Sequence, residues 1–187
     1  MDSVFSIVVV TYNQEDLVLQ TLESIYSQTY KAIELVVSDD ASTDSTPEVI
    51  RAWVEQKGHR FVNVVPNFNK QNRGISGNHS CGLKLASGEF VKYLGGDDIL
   101  LPDAIEKMCN FLVENKEARF CTSRVKPFYE DHGRRIFLDG SFDKWTVRKF
   151  LSANVEEQFR ILGRRNVIDT PGTFFRKSIF EDFGYPD

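Results

Sequence analysis

Two adjacent carboxylates, Asp97 and Asp98, lie near the end of the segment FVKYLGGDDIL at residues 90–100. They follow a mostly apolar, strand-like run and two glycines, so we expect them on a turn. Neighbouring carboxylates repel each other unless a cation or hydrogen-bond donors balance their charge. Mg²⁺ and Mn²⁺ accept one or two carboxylates and complete their shells with water and phosphate oxygens. The pair is therefore a candidate metal site, and the alternative is that Asp98 or Asp103 caps the following helix.

A second acidic pair, Asp39 and Asp40, follows the second predicted strand. A carboxylate at this place can accept hydrogen bonds from the ribose hydroxyls or the base N–H groups of a nucleotide. The surrounding segment SDDASTD is also rich in residues that bond their own backbone in turns, so a purely structural turn is the alternative. The functional interpretation depends on this pair sharing a sheet edge with the first acidic pair.

Four further residues are candidates for ligand binding. Thr11, Tyr12 and Asn13 end the first predicted strand. Tyr12 could stack on a base, although edge packing would explain it equally well, and Asn13 could instead be the N-cap of the first helix. His79 could donate a hydrogen bond to a phosphate, but a lone histidine on a helix is more often a packing or surface residue.

Alternating strand and helix patterns predict the elements that position these residues. Strand-like runs occupy residues 4–10, 33–38, 61–65 and 89–94, and helical patterns cover 15–28, 45–57, 76–87 and the residues from Pro102 onward. The segment STPE at 45–48 resembles a capping box. Strands separated by helices imply crossover connections and a mostly parallel α/β sheet covered on both faces. Ligands of such sheets bind beyond the carboxyl ends of the strands, where all the candidates lie.

The later part of the chain has a weaker pattern. After Arg124 we expect an irregular excursion or hairpin around residues 126–145, a helix at 146–155, and a strand or loop with a short helix at the end. No linker composition is evident, so a single domain over 1–187 is predicted.

Composition limits the classes of function and the compartment. The chain has 187 residues, 41% of them hydrophobic and 27% charged, as in ordinary globular proteins, and its net charge of −4 argues against nucleic-acid binding. Three widely spaced cysteines with no zinc-site spacing indicate reduced thiols, so we expect a cytoplasmic protein. The chain has no GxGxxG after the first strand, no P-loop and no GxSxG elbow, which disfavours dinucleotide-binding, P-loop and α/β-hydrolase proteins.

Three segments together resemble the family-2 glycosyltransferases of the GT-A fold. They are SIVVVTYNQEDLVLQTLESIYSQTY, IELVVSDDASTDST and NRGISGNHSCGLKLASGEFVKYLGGDDILLPDAI. Their order, spacing and strand–helix context are similar to that family over roughly the first two-thirds of the chain. The resemblance implies a metal-dependent, inverting transfer of a sugar from a nucleotide donor, expected to be UDP-linked, to a hydroxyl of a glycan or lipid-linked acceptor.

The same resemblance implies roles for individual residues. The metal, Mn²⁺ or Mg²⁺, would bind at Asp98 as the main ligand and at Asp97, and would neutralise charge on the departing nucleoside diphosphate. Asp40 is the best candidate for contacting the base or ribose. The full set of nucleotide-binding candidates is Thr11, Tyr12, Asn13, Asp40, His79 and Asp97.

Three departures from the family pattern affect these expectations. Many relatives have an arginine where this chain has His79, so a weaker or pH-dependent donor to the pyrophosphate is expected. Many relatives have a further aspartate where this chain has Gly95 and Gly96, so a lower metal affinity is expected. The carboxylate base of inverting members usually follows the segment that FRKSIFEDFGYPD resembles, whereas Glu181 and Asp182 in this segment are expected at the surface. We therefore expect a truncated catalytic domain whose base is not assigned, and whose missing regions could associate peripherally with the inner face of a membrane.

Three alternatives stay open at the level of sequence. A nucleotidyltransferase would use the same metal and nucleotide chemistry, but should have a glycine-rich, basic loop after the first strand, where TYNQED is acidic. A signalling receiver domain should have its acidic pair after the first strand, which here ends in Thr-Tyr-Asn. A non-catalytic module that only binds a nucleotide sugar would share every motif described above.

Overall fold

The structure, a computed structural model, describes residues 3–132, 134–138, 149–150, 152–164 and 170–186. Its contacts form two compact units, the first comprising Met1–Cys121 with Phe174–Asp187 and the second comprising Thr122–Thr173. The expectation of a single domain over the whole chain stays a prediction. None of the helices in the described part is long and apolar enough to cross a lipid bilayer.

The first unit contains alternating strands and helices, as the sequence pattern predicts. Its strands are β1 (Phe5–Thr11), β2 (Ile33–Asp39), β3 (Asn63–Phe68) and β4 (Phe90–Gly95), and its helices are α1 (Val18–Tyr26), α2 (Thr46–Lys57), α3 (Gly74–Leu85) and α4 (Ala104–Glu114). The chain continues with β5 (Phe120–Thr122), β6 (Phe128–Asp131), β7 (Arg134–Phe137), α5 (Val155–Leu162), β8 (Thr173–Arg176) and α6 (Ser178–Phe183). Short 3₁₀ turns occupy Gly58–Arg60 and Thr170–Gly172.

A mostly parallel sheet is the core of the first unit and confirms the predicted fold class. Among the described residues it has six strands in the order β3-β2-β1-β4-β8-β5. The pairs β1–β2, β1–β4 and β2–β3 are parallel, whereas β8 runs antiparallel to β4. In the register of β1, Thr11 pairs with Asp39 and Val10 pairs with Gly95. Strands β1, β2 and β4 therefore end at the same edge.

Helices cover both faces of this sheet, which explains the nearly continuous apolar composition of its strands. On one face, α1, α2 and α4 pack over side chains such as Phe5, Ile7 and Leu35. On the other face, α3 and α6 contribute Leu83 and Phe180 to a smaller cluster. Because β1 and β2 are buried on both faces, they show no polar–apolar alternation, and their sequences read as short apolar runs.

The predicted N-cap of the first helix was wrong. Helix α1 begins at Val18 with Leu17 in the N-cap position, not with Asn13. Asn13 has a positive φ of 51°, and its side-chain oxygen accepts a hydrogen bond from the Thr43 N–H at 2.8 Å. Asparagine tolerates this left-handed conformation better than most residues. Asn13 therefore joins the β1 exit to the loop after β2 and does not cap a helix.

The predicted capping box of α2 was also only partly right. Ser45 occupies the N-cap position, but it makes no side-chain capping hydrogen bond. The carboxylate of Asp44 accepts the Thr46 N–H at 3.0 Å. The position of the helix start was thus predicted, whereas the capping group was not.

Helix α3 packs very closely on the sheet at Gly82. A Cβ atom built on Gly82 would lie 2.3 Å from Val8 Cγ1 and 3.3 Å from the Ser38 Cβ. Gly82→Ala is expected to lower the free energy of unfolding by up to about 2 kcal/mol, because overpacking costs about 1–3 kcal/mol and the gain in helix propensity returns about 1. Urea denaturation would measure the change, and Ser76→Ala on the exposed side of α3 is the matched control. A stabilised Gly82→Ala protein would contradict the packing described here.

The second unit contains a hairpin and a helix in its described part. Strands β6 and β7 pair antiparallel, with Tyr129 opposite Ile136, which confirms the hairpin alternative for this region. Helix α5 lies at Val155–Leu162. Part of the helix predicted at 146–155 cannot be compared, because residues 146–148 and 151 lie outside the described residues.

Candidate active site

The structure brings the two acidic pairs to the same edge of the sheet, on either side of the end of β1. The Asp40 N–H donates to the Thr11 carbonyl oxygen at 2.9 Å. On the other side, the Gly96 N–H donates to the Val10 carbonyl oxygen at 2.9 Å. Neighbouring strands lie about 4.8 Å apart, so these two backbone positions are separated by roughly 10 Å. That separation is short enough for one ligand to contact both the side chains that follow β2 and those that follow β4.

Asp39 has a structural role in closing the turn after β2. It is buried, and one carboxylate oxygen accepts hydrogen bonds from Thr11 Oγ1 at 2.9 Å and from Ser42 Oγ at 2.5 Å. The other oxygen accepts the Ser42 N–H at 3.0 Å. For Asp39, the structure agrees with the alternative interpretation, a purely structural turn closed by hydrogen bonds within the loop.

Asp40 holds the start of α3 against the sheet edge. Its side chain is only 2% exposed. The carboxylate accepts the Arg73 N–H at 2.9 and 3.0 Å and a hydrogen bond from Asn69 Nδ2 at 3.0 Å. Each carboxylate oxygen has more than one acceptor site, so these bonds leave capacity for a ligand. The predicted contact between Asp40 and a base or ribose stays a prediction.

Asn78 is a site residue that the sequence interpretation missed. It is buried on α3, and its Nδ2 donates to the Ser38 carbonyl oxygen at 2.9 Å and to that of Thr11 at 3.4 Å. Its Oδ1 accepts hydrogen bonds from Ser38 Oγ at 2.7 Å and Asn69 Nδ2 at 3.1 Å. Asn78 therefore holds two strand exits and the loop before α3 together. Its position four residues before Gly82, on the same helical face, was the available sequence signal.

Tyr12 and His79 differ in how much of the side chain is available to a ligand. Tyr12 is 48% exposed at the end of β1, so its ring can be reached from solvent. His79 lies on α3 and packs against Tyr93, with the ring centroids 4.4 Å apart. Burial lowers the pKa of His79 below its ordinary value, so we expect a neutral imidazole at pH 7. A neutral ring can donate one hydrogen bond but cannot supply positive charge to a phosphate.

Asp97 and Asp98 lie on the turn after β4, and neither carboxylate caps α4. Asp97 is exposed and Asp98 is half-buried. The Asp98 Oδ2 accepts the Gly95 N–H at 3.3 Å, while its backbone oxygen accepts Thr21 Oγ1 at 2.8 Å. Asp103 is the N-cap of α4, but makes no side-chain capping bond. The helix-capping alternative is therefore wrong for Asp98 and only partly right for Asp103, which holds the N-cap position without a side-chain capping bond.

The two carboxylates of this turn suit a divalent cation that also binds the oxygens of a diphosphate. Burial, and then the charge of Asp97, raise the pKa of Asp98. Among the described residues, no group of three or more His, Cys, Asp or Glu side chains is placed to hold a metal. Two carboxylates suffice for Mg²⁺ or Mn²⁺ when water and phosphate oxygens complete the shell. Asp97 and Asp98 are the residues that would hold the ion.

A buried lysine, Lys92, lies in the strand that leads to this turn, and the sequence interpretation did not single it out. Its side chain is fully buried in β4, and its Nζ lies 4.5 Å from the centroid of the Phe174 ring. Burial lowers the pKa of Lys92 to about 7, while the charge of Asp98 acts in the opposite direction. A lysine inside an otherwise apolar strand was the available sequence signal.

Comparisons with known proteins agree with this architecture. The family model described as glycosyl transferase family 2 matches residues 6–184. The Escherichia coli UDP-Glc:alpha-D-GlcNAc-diphosphoundecaprenol beta-1,3-glucosyltransferase WfaP is 35% identical over 111 residues, which are 59% of this chain and 42% of that protein. This chain spans about half the length of the curated relatives it matches.

Solved structures show the same fold. The S. aureus TarS 1–349 complex with UDP superposes with a TM-score of 0.70 at 21% identity, over 96% of this chain and 48% of that one. The Pyrobaculum calidifontis mannosyltransferase PcManGT, in complex with GDP-Man and Mn²⁺, gives a TM-score of 0.71 at 22% identity, over 99% of this chain and 48% of that one. With a family model that matches nearly the whole chain and the GT-A fold in its structure, this chain belongs to glycosyl transferase family 2.

Proposed function

We propose that the chain binds a nucleotide sugar, UDP-linked, together with Mn²⁺ or Mg²⁺, for transfer of the sugar to a hydroxyl of a glycan or lipid-linked acceptor. The observation that carries this proposal is the convergence of Asp40 and the Asp97–Asp98 turn on either side of the β1 end. The names of the similar proteins support the ligand class: TarS is complexed with UDP and PcManGT with GDP-Man and Mn²⁺. The WfaP name, which includes a diphosphoundecaprenol acceptor, supports the lipid-linked alternative.

Each part of the site has a separate task in this proposal. The exposed ring of Tyr12 stacks on the base, and Asp40 receives a hydrogen bond from the base or ribose. Asp97 and Asp98 place two negative charges at the sheet edge. The diphosphate is also negative, so it needs a divalent cation there to offset the repulsion. The ion supplies charge neutralisation to the diphosphate as it leaves.

The transfer itself is a direct displacement with inversion. The acceptor hydroxyl oxygen forms a bond to the anomeric carbon, the bond from that carbon to the diphosphate oxygen breaks, and a base takes the hydroxyl proton. Glu181 and Asp182 are both exposed on α6, and Asp182 forms an ion pair with Arg119. Neither is assigned as the base. The experiment on this chain therefore measures binding of the nucleotide donor.

Calorimetric titration with UDP, with and without Mn²⁺, tests the proposal. We expect Mn²⁺ to tighten UDP binding about 100-fold, because a cation held by Asp97 and Asp98 would offset the repulsion between these carboxylates and the diphosphate. GDP at the same concentrations shows whether the site prefers the uracil base. Absence of UDP binding under both conditions would overturn the proposal.

A further inference from the structure

Three polar side chains lie buried along one side of the first helix. They are Thr21, Ser24 and Gln28, in the segment TLESIYSQ, and Gln28 is two residues past the end of α1. Their spacing of three and four residues places them on the same face, and we call them the polar stripe. Burial of a polar side chain is unfavourable unless it is hydrogen-bonded. The partners of the polar stripe therefore show what it holds in place.

The first two members of the polar stripe bind the segment that begins in the acidic turn. This segment, residues 98–103, forms neither helix nor strand. Thr21 Oγ1 donates to the Asp98 carbonyl oxygen at 2.8 Å. Ser24 Oγ accepts the Leu100 N–H at 3.1 Å. Side chains of α1 thus take the place of the backbone partners that a strand or helix would supply to these residues.

The third member, Gln28, holds the other end of the same segment. Its Nε2 donates to the Leu101 carbonyl oxygen at 2.8 Å, and its Oε1 accepts the N–H of Ile105, in the first turn of α4, at 3.2 Å. Next to it, the Thr29 N–H donates to the Pro102 carbonyl oxygen at 2.9 Å. The connection from the acidic turn to α4 is therefore fastened to α1 along its length.

Thr21 is the member of the polar stripe that contacts a proposed metal ligand. The Asp98 N–H donates to the Gly95 carbonyl oxygen at 3.1 Å, and the Asp98 carbonyl oxygen accepts the Thr21 hydroxyl. The backbone of Asp98 is thereby held from β4 on one side and from the fully buried Thr21 on the other. A side chain on a fixed backbone loses less freedom when it binds a ligand than one on a loose backbone.

We propose that Thr21 is a positioning residue of the metal site, and that its hydroxyl fixes the backbone of Asp98 so that the carboxylate is in place for the divalent cation. This inference rests on the proposed function, since it requires a cation at the acidic turn. Thr21 acts only through Asp98. Removing a group that hydrogen-bonds a metal-binding residue typically weakens metal binding about 10–100-fold.

Three substitutions at Thr21 separate the effect of its hydroxyl from that of its methyl group. Thr21→Val removes the hydroxyl at similar volume, and Thr21→Ser keeps the hydroxyl and removes the methyl group. Thr21→Ala removes both and favours the helix, so it replaces the valine variant if that variant does not fold. Thr29→Val is the matched control, because the Thr29 hydroxyl donates to the Glu106 carboxylate at 2.6 Å and not to the acidic turn.

Calorimetric titration with UDP over a series of Mn²⁺ concentrations measures the role of the hydroxyl, and urea denaturation reports the stability of each variant. We expect Thr21→Val and Thr21→Ala to need about 10-fold more Mn²⁺ than the parent for half of the gain in UDP affinity. Their UDP affinity without metal stays at the parental value, which a general distortion of the site would not allow. Thr21→Ser and Thr29→Val need the same Mn²⁺ concentration as the parent.

Three results would overturn the assignment of Thr21. One is a parental Mn²⁺ requirement in the folded valine or alanine variant, which would leave the hydrogen bond with a structural role alone. The second is an equal rise in Thr21→Ser or Thr29→Val, and the third is a loss of UDP affinity without metal. A parent chain that binds UDP without any effect of Mn²⁺ would instead overturn the metal part of the proposed function.

Discussion

Asp98→Asn is expected to abolish the gain in UDP affinity that Mn²⁺ provides, a loss of about 100-fold at saturating metal. Asp98 is the half-buried member of the acidic pair, and its carboxylate is held at the turn by the Gly95 N–H. Asparagine keeps the size and one oxygen, but removes the negative charge that attracts the cation. A factor of 100 corresponds to about 2.7 kcal/mol, which is within the range for one charged oxygen ligand in a partly buried site.

The matched control for this change is Asp103→Asn. Asp103 lies five residues further along at the start of α4, where its carboxylate forms an ion pair with Lys107 and makes no capping bond. We expect unchanged UDP binding for this variant, with or without Mn²⁺. Urea denaturation of both variants separates lost binding from lost folding. If Asp98→Asn kept the full Mn²⁺ effect, the metal would have to bind elsewhere, and the role given to the acidic turn would be wrong.

Lys92→Met is expected to stabilise the protein near neutral pH and to remove a rise in stability that the parent shows between pH 7 and 9. Burial lowers the pKa of Lys92 from 10.5 to about 7 in the folded protein. Between these values the unfolded chain binds the proton more tightly than the folded chain does. The free energy of unfolding of the parent therefore increases with pH in this window, by up to about 1.4 kcal/mol per pH unit.

The window ends near pH 9 because a neighbouring thiol then acts in the opposite direction. Burial raises the pKa of Cys121 from 9.0 to about 11, so above pH 9 the unfolded chain loses its thiol proton before the folded one does. This loss offsets the gain from Lys92, so the stability of the parent levels off above pH 9 and falls once the pH exceeds 10.5, the pKa of Lys92 in the unfolded chain. From pH 7 to 9 we expect the parent to gain about 2 kcal/mol relative to Lys92→Met. At pH 7 the methionine variant should be the more stable, because the buried amine is partly protonated there and its desolvation is unfavourable, whereas methionine carries no charge.

Urea denaturation at several pH values, in the presence of a chelator, measures this difference directly. Lys116→Met is the control, because Lys116 is exposed and the same substitution there should leave the pH dependence of the parent unchanged. A Lys92→Met protein that is less stable than the parent at pH 7, with an unaltered pH profile, would show that the buried amine contributes more through its contacts than its burial costs.

The sequence alone determined the fold class and the edge at which the site lies. Short apolar strands alternating with amphipathic helices permit few arrangements other than a covered, mostly parallel sheet. In that sheet, residues that directly follow the strands must meet at one edge, so the convergence of Asp40 and Asp98 could be predicted without coordinates. Element boundaries were less accurate: β3, for example, is Asn63–Phe68 where residues 61–65 were predicted.

Only the tertiary structure decided what each polar side chain at that edge does. Asparagine is a residue type that often caps helices, yet the Asn13 side chain accepts a hydrogen bond from the Thr43 N–H, 30 residues away. Local sequence rules cannot predict a partner at that distance along the chain. The burial of Asn78 and Lys92, and the hydrogen bond of Thr21 with Asp98, depend likewise on which elements pack together. Hydrophobic periodicity reports which face of an element is buried, whereas the partner of a polar atom is set by segments far away in the chain.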